Sequence, residues 1–424
     1  MTRVLVYSAL LLLGLIGSQF LPVLAGEHYR AVFQGVMPLT MVCLAYIMIG
    51  VGREFEIDKS NLRQYGWDYV VGATAAAFPW AFCCLYFVYV LVPGEHWGSW
   101  PVWKEALLAS RFSAPTSAGV LFSMLAAAGL AATWVFRKAR ILAIFDDLDT
   151  VLLMIPLKMA MVGFRWQLVV IIVVMVALLT IGYRYLRAWK LPGSWKAILG
   201  FSVVMVIVVE IAHHLSMKID QNVPIHVEVL LPAFVLGCVM RHPEGHGGGP
   251  DDAPRAEPDE ARAAAWISGA FMVLVGLSMP AIADTLRGGG GPEGLGETVA
   301  AGALLSVTGP MGWTTIALHV LAVTLLANLG KMFPALCYRR EATWRERMAV
   351  AVGMWPRGEV GAGVLVISLS YGIGGSVVVI AMLSLALNLA LTGVFIWWVK
   401  RLLAPSARGC RGEVATAAAD RPLE

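Results

Sequence analysis

Long apolar stretches free of charged residues recur along this chain of 424 residues. Two of them, 69–92 and 374–399, are long enough to cross a bilayer, because about 20 residues suffice at ~1.5 Å rise each. Hydrophobic residues make up 58% of the chain and charged residues 14%, whereas soluble domains carry about 25% charged residues. This composition excludes a soluble enzyme, a nucleic-acid-binding domain and a secreted disulfide scaffold. The net charge of +4 is too small to suggest nucleic acid as a partner.

The apolar stretches predict an all-α polytopic membrane protein, because a backbone exposed to lipid must satisfy its own hydrogen bonds. The alternating pattern of a membrane β-barrel is absent from the sequence. We expect about twelve transmembrane helices, at 4–25, 31–50, 69–92, 106–133, 141–163, 166–183, 197–215, 223–240, 264–286, 309–337, 348–370 and 374–399.

The distribution of lysine and arginine predicts the orientation. With a cytoplasmic N-terminus, 23 of these residues fall on the cytoplasmic side and 5 on the opposite side, as the positive-inside rule requires. Both termini are then cytoplasmic, and we expect a multi-pass protein of the cell (inner) membrane. The first span also has the basic start, apolar middle and small-residue end of a signal peptide, whose cleavage would leave eleven spans.

The loops indicate a single transmembrane transporter domain over 1–403. A segment rich in glycine, proline and charge (241–263) is expected to be a flexible cytoplasmic linker between two groups of spans. Residues 404–424 form a short polar stretch that we interpret as a cytoplasmic tail.

Three carboxylates stand out in the fifth predicted span, where Asp146, Asp147 and Asp149 lie within an apolar run. A charge at the bilayer centre costs about 3 kcal/mol or more, so such residues are functional candidates. At ~100° per residue, Asp146 and Asp149 share a helix face and Asp147 points elsewhere. A cation could sit among them, a basic residue could pair with one, or some could be protonated. Alternatively, the three could flank a helix end at the membrane interface.

Two spans contain a proline among small and polar residues. In the fourth, Pro115 precedes Thr116 and Ser117, and in the eleventh, Pro356 precedes Arg357 and Glu359. Proline removes a backbone donor and clashes with the preceding turn, so each span is predicted to be interrupted, with a simple kink as the alternative. Interrupted helices in two halves of a chain are typical of a transporter site between inverted repeats. Arg357 and Glu359 could neutralise the broken helix ends, pair with each other or serve only structure.

The tenth span contains a lysine, Lys331, whose expected partners are the aspartates. A lysine that snorkels to the nearby cytoplasmic interface is the alternative. Two further bases, Arg111 and Lys158, could pair with Asp149, but the sequence does not place them.

Four motifs in this order make the chain resemble the monovalent cation:proton antiporters, in the sodium/proton antiporter branch that carries twin aspartates. They are "SAPTSAGV" (113–120), "FDDLDT" (145–150), "LGK" (329–331) and "GMWPRGEVGAGV" (353–364). The resemblance covers nearly the whole chain. It implies inverted repeats with two crossed discontinuous helices (spans 4 and 11), in a core at about 69–163 and 309–399, and a homodimer.

The resemblance also implies residue roles. Asp147 matches the ion-binding carboxylate, and Asp146 matches the aspartate that pairs with the lysine, here Lys331. Thr116 and Ser117 match residues of the first crossover near the ion, while Arg357 and Glu359 match the charged pair of the second. Asp149 departs from the pattern, where a small residue is usual, and an added carboxylate could join the ion ligands.

The expected function is secondary active exchange of Na+, or another monovalent cation, for H+ by alternating access at a buried aspartate site. Apart from these transported ions and membrane lipid, no cofactor or partner is expected beyond a second copy. A Na+-coupled symporter of a solute or organic anion on the same fold is the alternative. A channel would need a continuous polar lining, and no nucleophile–base or metal-ligand motif suggests an enzyme.

Overall fold

A computed structural model describes residues 2–53, 62–162, 166–185, 188–219, 229–240, 258–278, 304, 307–308, 311–371 and 373–419. This part of the chain is built almost entirely from α-helices and contains no β-strand. The helices, numbered in chain order, are α1 (Thr2–Ala25), α2 (Tyr29–Arg53), α3 (Leu62–Tyr86), α4 (Trp100–Ser110), α5 (Ala118–Ala127), α6 (Trp134–Val162), α7 (Trp166–Arg184), α8 (Trp195–Ile219), α9 (Leu230–Val239), α10 (Pro258–Leu277), α11 (Trp313–Gly330), α12 (Phe333–Leu336), α13 (Trp344–Gly353), α14 (Glu359–Ser370) and α15 (Ser376–Ala419).

Seven of the described helices are long and apolar enough to cross a membrane. The described part of the chain is therefore that of an α-helical membrane protein. The seven stretches match predicted spans 1, 2, 3, 7, 9, 10 and 12, and they are Val4–Leu21, Gly35–Arg53, Arg63–Leu91, Trp195–Ser216, Asp259–Leu277, Trp313–Leu336 and Ser376–Ala404.

The other five predicted spans differ from these in identifiable ways. Spans 4 and 11 are each divided into two helices, and span 5 carries the three aspartates within α6. Span 6 is α7, whose apolar stretch is shorter, and the first residues of span 8 lie outside the described part of the chain. The total of twelve spans stays a prediction.

Several helix ends differ from those predicted. Helix α10 begins at Pro258, so the linker predicted to reach 263 ends earlier, because a proline and two acidic residues favour a helix start there. Residues 241–257 lie outside the described residues. Helix α15 runs on to Ala419 through the stretch predicted as a tail from 404, whose alanines favour helix.

Glycines allow two helix pairs to pack with their backbones in contact. Helix α1 packs along α10, where Gly14 meets Gly276, and α2 packs along α9, where Gly52 meets Gly237. A Cβ atom at any of the four would collide with the backbone of the neighbouring helix. Small residues at such crossings let membrane helices approach closely, which compensates for the weak hydrophobic drive between helices in lipid.

A second group of helices surrounds α3, which packs against both α6 and α11. Gly330, at the end of α11, lies against the backbone of Pro79, and a Cβ there would overlap it. Gly72 lies against α6 at Phe145, with the backbone nitrogen of Asp146 3.8 Å from a Cβ placed on the glycine. These two close approaches fix the end of α11 and the middle of α6 on the same helix.

Candidate functional site

The first interruption lies between α4 and α5. Helix α4 ends at Ser110, a 3-10 turn covers Arg111–Ser113, and α5 begins only at Ala118. Pro115 lies in the non-helical stretch between them. All residues from 110 to 125 are buried, so the open backbone faces protein, as an irregular segment in a membrane must.

The second interruption lies between α13 and α14. Helix α13 ends at Gly353 and α14 begins at Glu359, with Pro356 in the non-helical segment between them. We call residues 111–117 the first break and residues 354–358 the second break. Prolines in the middle of the fourth and eleventh spans therefore mark real interruptions rather than kinks.

The two breaks are joined directly by hydrogen bonds. The backbone N–H of Ser117 donates to the carbonyl of Pro356 (2.9 Å), and the Thr116 hydroxyl donates to the carbonyl of Met354 (3.1 Å). A Cβ on Gly358 would lie 3.0 Å from the Ser117 hydroxyl oxygen, so glycine permits this approach. Breaks that lie more than 200 residues apart in sequence thus share one location.

Asp146 lies beside this junction, near the middle of α6 and fully buried. Its Oδ2 accepts a hydrogen bond from the backbone N–H of Thr116 at 2.7 Å. Its own carbonyl accepts from the Thr150 hydroxyl at 2.8 Å. The alternative in which the aspartates flank a helix end is wrong, because α6 continues for several turns on both sides.

Lys331 pairs with Asp146. Its Nζ lies 2.7 Å from Asp146 Oδ2, and neither side chain has any exposed surface. A snorkelling lysine would keep its ammonium group at the surface, so that alternative is wrong. Lys331 directly follows α11, where a positive charge is stabilised by the carbonyls at the helix C-terminus.

Asp149 is brought next to Arg111. The Nη2 atom of Arg111 donates to the Asp149 carbonyl at 3.0 Å and lies 3.8 Å from its Oδ2. Arg111 has no exposed surface, and Asp149 is buried. Of the two bases suggested for Asp149, the structure selects Arg111, since Lys158 lies about 13 Å further along the same helix.

Asp147 is also buried, with 2% of its surface exposed. Helical geometry directs its carboxylate away from the face shared by Asp146 and Asp149, as the spacing predicts. Among the described residues, no three acidic, histidine or cysteine side chains converge as a resident metal site requires.

Arg357 ties the second break to the first and to α11. Its guanidinium donates to the Ser113 carbonyl (2.8 Å), the Ala327 carbonyl (2.7 Å) and Asn328 Oδ1 (2.7 Å). Ser113 and Ala327 both lie near the C-terminal end of a helical segment, where a cation is stabilised. Glu359 begins α14, but its side chain lies outside the described part of the structure.

Asn328 escaped the sequence reasoning, although it completes the contacts of Arg357. It lies one turn before Lys331, at helical spacing, and is 8% exposed. A polar amide three residues before an intramembrane lysine is the signal that could have identified it, because both then project near the same helix end.

A second buried ionic cluster was also missed. Lys138 on α6 contacts Asp68 on α3 at 3.1 and 3.2 Å and Glu341 at 3.2 Å, while the Tyr338 hydroxyl donates to Asp68 at 2.7 Å. The fifth span predicted at 141–163 leaves Lys138 in the preceding loop, but α6 begins earlier, at Trp134, and buries it. The partners Asp68 and Glu341 explain how a helix can bury this charge.

Comparison with known proteins does not assign a family to this arrangement. No protein-family model matches the chain, and no curated protein matches it significantly. Function is therefore inferred from the charged groups that meet at the two breaks.

Proposed function

We propose that this membrane protein exchanges a monovalent cation, with Na+ as the first candidate, for protons. The supporting observation is the fully buried pair of Lys331 and Asp146 where two interrupted helices meet. Interrupted helices that present backbone ends to a buried charged site are a common design among secondary transporters. Intramembrane charges are costly, so a functional role is the first hypothesis for them.

The proposed chemistry relies on neutralisation of a buried carboxylate. A carboxylate that binds a proton is neutral, and so is one that binds Na+, whereas the empty ionised form is penalised in low dielectric. Either neutral form can pass the barrier during alternating access. The same group then exchanges one ion for the other without a further energy source.

Asp147 is proposed as the carboxylate that binds the cation, and Thr116 and Ser117 of the first break are proposed to contribute oxygen ligands. Asp146 would be held by Lys331 in the empty state. When the cation arrives, Lys331 would release a proton, so that two protons move against one Na+ and transport is electrogenic. Arg357 and Glu359 would stabilise the second break.

The finer architecture belongs to the same proposal. We propose twelve spans in inverted repeats, with the broken spans 4 and 11 crossing at the site, and a homodimer in the cell (inner) membrane with both termini cytoplasmic. The protein would act as a transporter, not an enzyme, and would need no cofactor beyond the transported ions.

Reconstituted proteoliposomes test the proposal. With a pH gradient across the bilayer and a fluorescent pH probe, addition of Na+, Li+ or K+ in turn is expected to dissipate the gradient for at least one cation. Asp147→Asn should reduce this to the level of protein-free liposomes, because the exchangeable charge is lost. Asp68→Asn is the matched control, since it neutralises a buried carboxylate that pairs with Lys138 instead of contacting either break, and it should retain transport.

Full activity in Asp147→Asn would remove the basis of the proposal. Uptake of an organic anion that is stimulated by Na+, without proton counterflow, would instead indicate a symporter. The same vesicles supply both measurements.

A further inference from the structure

We propose that Arg111 and Asp149 form a positioning pair, and that Asp149 is not a ligand of the transported cation. In this role the pair holds the first break in register with the aspartates of α6. The inference rests on the proposed exchange function for its transport readout, but a second readout is independent of it.

The first observation concerns the contacts that Asp149 makes with the Arg111 side chain. Arg111 is fully buried, and its Nη2 atom contacts both the carbonyl and the carboxylate of Asp149. The guanidinium also lies over the ring of Trp80, 4.8 Å from the ring centre, and Trp80 is itself held by a hydrogen bond to the Leu107 carbonyl. Among the described residues, Nε and Nη1 have no hydrogen-bond partner, so Asp149 supplies the counter-charge on this side.

The second observation concerns the two ends of the first break. Arg111 opens the break and is attached to α6 at Asp149, while Thr116 near its other end is attached to α6 at Asp146. Asp146 and Asp149 are three residues apart and share one face of the helix. The break is therefore attached at two points, one turn apart, on the face that also receives Lys331.

Charge balance explains why the two residues belong together. A third aspartate alone would add an unpaired negative charge beside Asp146, and a buried arginine alone would add an unpaired positive one. Each single replacement leaves the other charge uncompensated in a dry environment, which is costly, whereas removal of both leaves none. A ligand role for Asp149 has no such dependence on Arg111.

A double-mutant cycle in proteoliposomes tests the pair with Arg111→Gln, Asp149→Asn and the combination. We expect each single variant to raise the apparent KM for the cation about tenfold, because the first break shifts relative to the site, and to leave the maximal rate within about threefold. The double variant should return to within about threefold of the wild-type KM. A purely structural role would alter the amount of folded protein but not the KM.

The matched control is the other buried pair between helices, in Asp68→Asn, Lys138→Gln and their combination. These variants should lower thermal stability and leave the KM within about twofold. If they raise the KM as much as the Arg111 and Asp149 variants do, the positioning role is wrong. It is equally wrong if Asp149→Asn abolishes transport and the double variant does not restore it.

The second readout is the unfolding temperature of the detergent-solubilised protein. Replacement of both Arg111 and Asp149 should lower it less than the sum of the single effects, whereas simple additivity would overturn the pairing. If wild-type protein moves no protons on addition of any cation, the proposed function fails, and the coupling in unfolding temperature still decides whether the pair exists. Arg111→Lys keeps the charge but loses the planar contacts, and should raise the KM less than Arg111→Gln.

Discussion

Two buried lysine–aspartate pairs occupy different parts of this helical bundle, and their hydrogen-bonding atoms are satisfied to different degrees. In the pair between α3 and α6, the ammonium of Lys138 contacts both carboxylate oxygens of Asp68 at 3.1 and 3.2 Å. In the pair at the breaks, Lys331 contacts a single oxygen, Asp146 Oδ2, at 2.7 Å. Both aspartates are almost fully buried, so burial alone does not separate them.

The surroundings of the pairs differ further. Asp68 also accepts from the Tyr338 hydroxyl, and Lys138 has a second carboxylate, Glu341, and the ring of Tyr338 4.4 Å away. Asp146 Oδ2 is shared between Lys331 and the Thr116 backbone, while its Oδ1 has no hydrogen-bond partner within the described ranges.

Under the proposed function, this difference would separate a structural pair from an exchangeable one. A buried pair whose atoms are all bonded loses several kcal/mol when a partner leaves, and so stays closed. A pair joined through a single carboxylate oxygen has fewer contacts to lose when its lysine gives up a proton, as the proposed cycle requires of Lys331. The Lys331–Asp146 pair at the breaks therefore suits a transport cycle, whereas the Lys138–Asp68 pair suits a structural role in holding α3 against α6.

The largest expected effect is the loss of voltage dependence in Lys331→Gln. If Lys331 carries one of two exchanged protons, one net charge crosses per cycle, and each charge contributes about 2.3 kcal/mol per 100 mV. The wild-type ion distribution should therefore shift about fiftyfold per 100 mV, and that of Lys331→Gln should not shift. Proteoliposomes with a potassium diffusion potential set by valinomycin provide the measurement, with K+ excluded as substrate beforehand.

Lys138→Gln is the matched control for that experiment, because it removes a buried lysine of the same bundle. Its exchange should keep the full dependence on voltage. If Lys331→Gln remains as electrogenic as the wild type, the proposed role of Lys331 in proton transfer is wrong.

Proline illustrates how far the sequence predicts this fold. Pro115 and Pro356 lie in real interruptions, but Pro38, Pro79 and Pro156 lie inside continuous helices. Pro115 and Pro356 are surrounded by small or polar residues that can hydrogen-bond to the backbone groups that a proline leaves unpaired. This context can be recognised in the sequence. That the two interrupted spans cross was implied only by the resemblance, and the hydrogen bond that joins them could not be predicted, since neither end of the Ser117–Pro356 bond involves a side chain.

Some of the charged contacts could likewise be predicted from the sequence, and others could not. The Lys331–Asp146 pair was expected from the cost of burial and from the resemblance, and the structure has it. Lys138 was misassigned because a lysine near a span boundary has the same sequence signature whether it faces water or a buried carboxylate. Asp68, one turn before Gly72, reveals its partner only once α3 and α6 are packed together.

The next largest effect is on stability, in Lys138→Gln. This change leaves Asp68 buried without its cation, and loss of one partner from a buried pair costs about 3–5 kcal/mol. We expect a correspondingly lower unfolding temperature in detergent, with unchanged transport per folded molecule. A loss of stability below 1 kcal/mol, or a loss of transport in fully folded protein, would contradict the structural assignment of this pair.

The smallest effect is expected for Tyr338→Phe, which removes one hydrogen bond to Asp68 and keeps the ring over Lys138. A hydrogen bond to a charged group contributes about 1.5–3 kcal/mol, so stability should fall by that amount at pH 7. Burial, and then the charge of Asp68, raise the pKa of Tyr338 above its ordinary value, so the hydroxyl stays a donor at neutral pH. Above a pH of about 10, the folded protein keeps the Tyr338 proton, whereas the unfolded chain, in which the tyrosine has a pKa of about 10, loses it.

The contribution of Tyr338 is therefore complete below pH about 10 and declines only above it. The difference in unfolding temperature between wild type and Tyr338→Phe should accordingly be constant from pH 6 to 9. A difference that changes with pH in this range would mean that the Tyr338–Asp68 contact is itself exchangeable. The pair at α3 would then resemble the pair at the breaks, and the number of bonded oxygens would no longer distinguish a structural pair from a transport site.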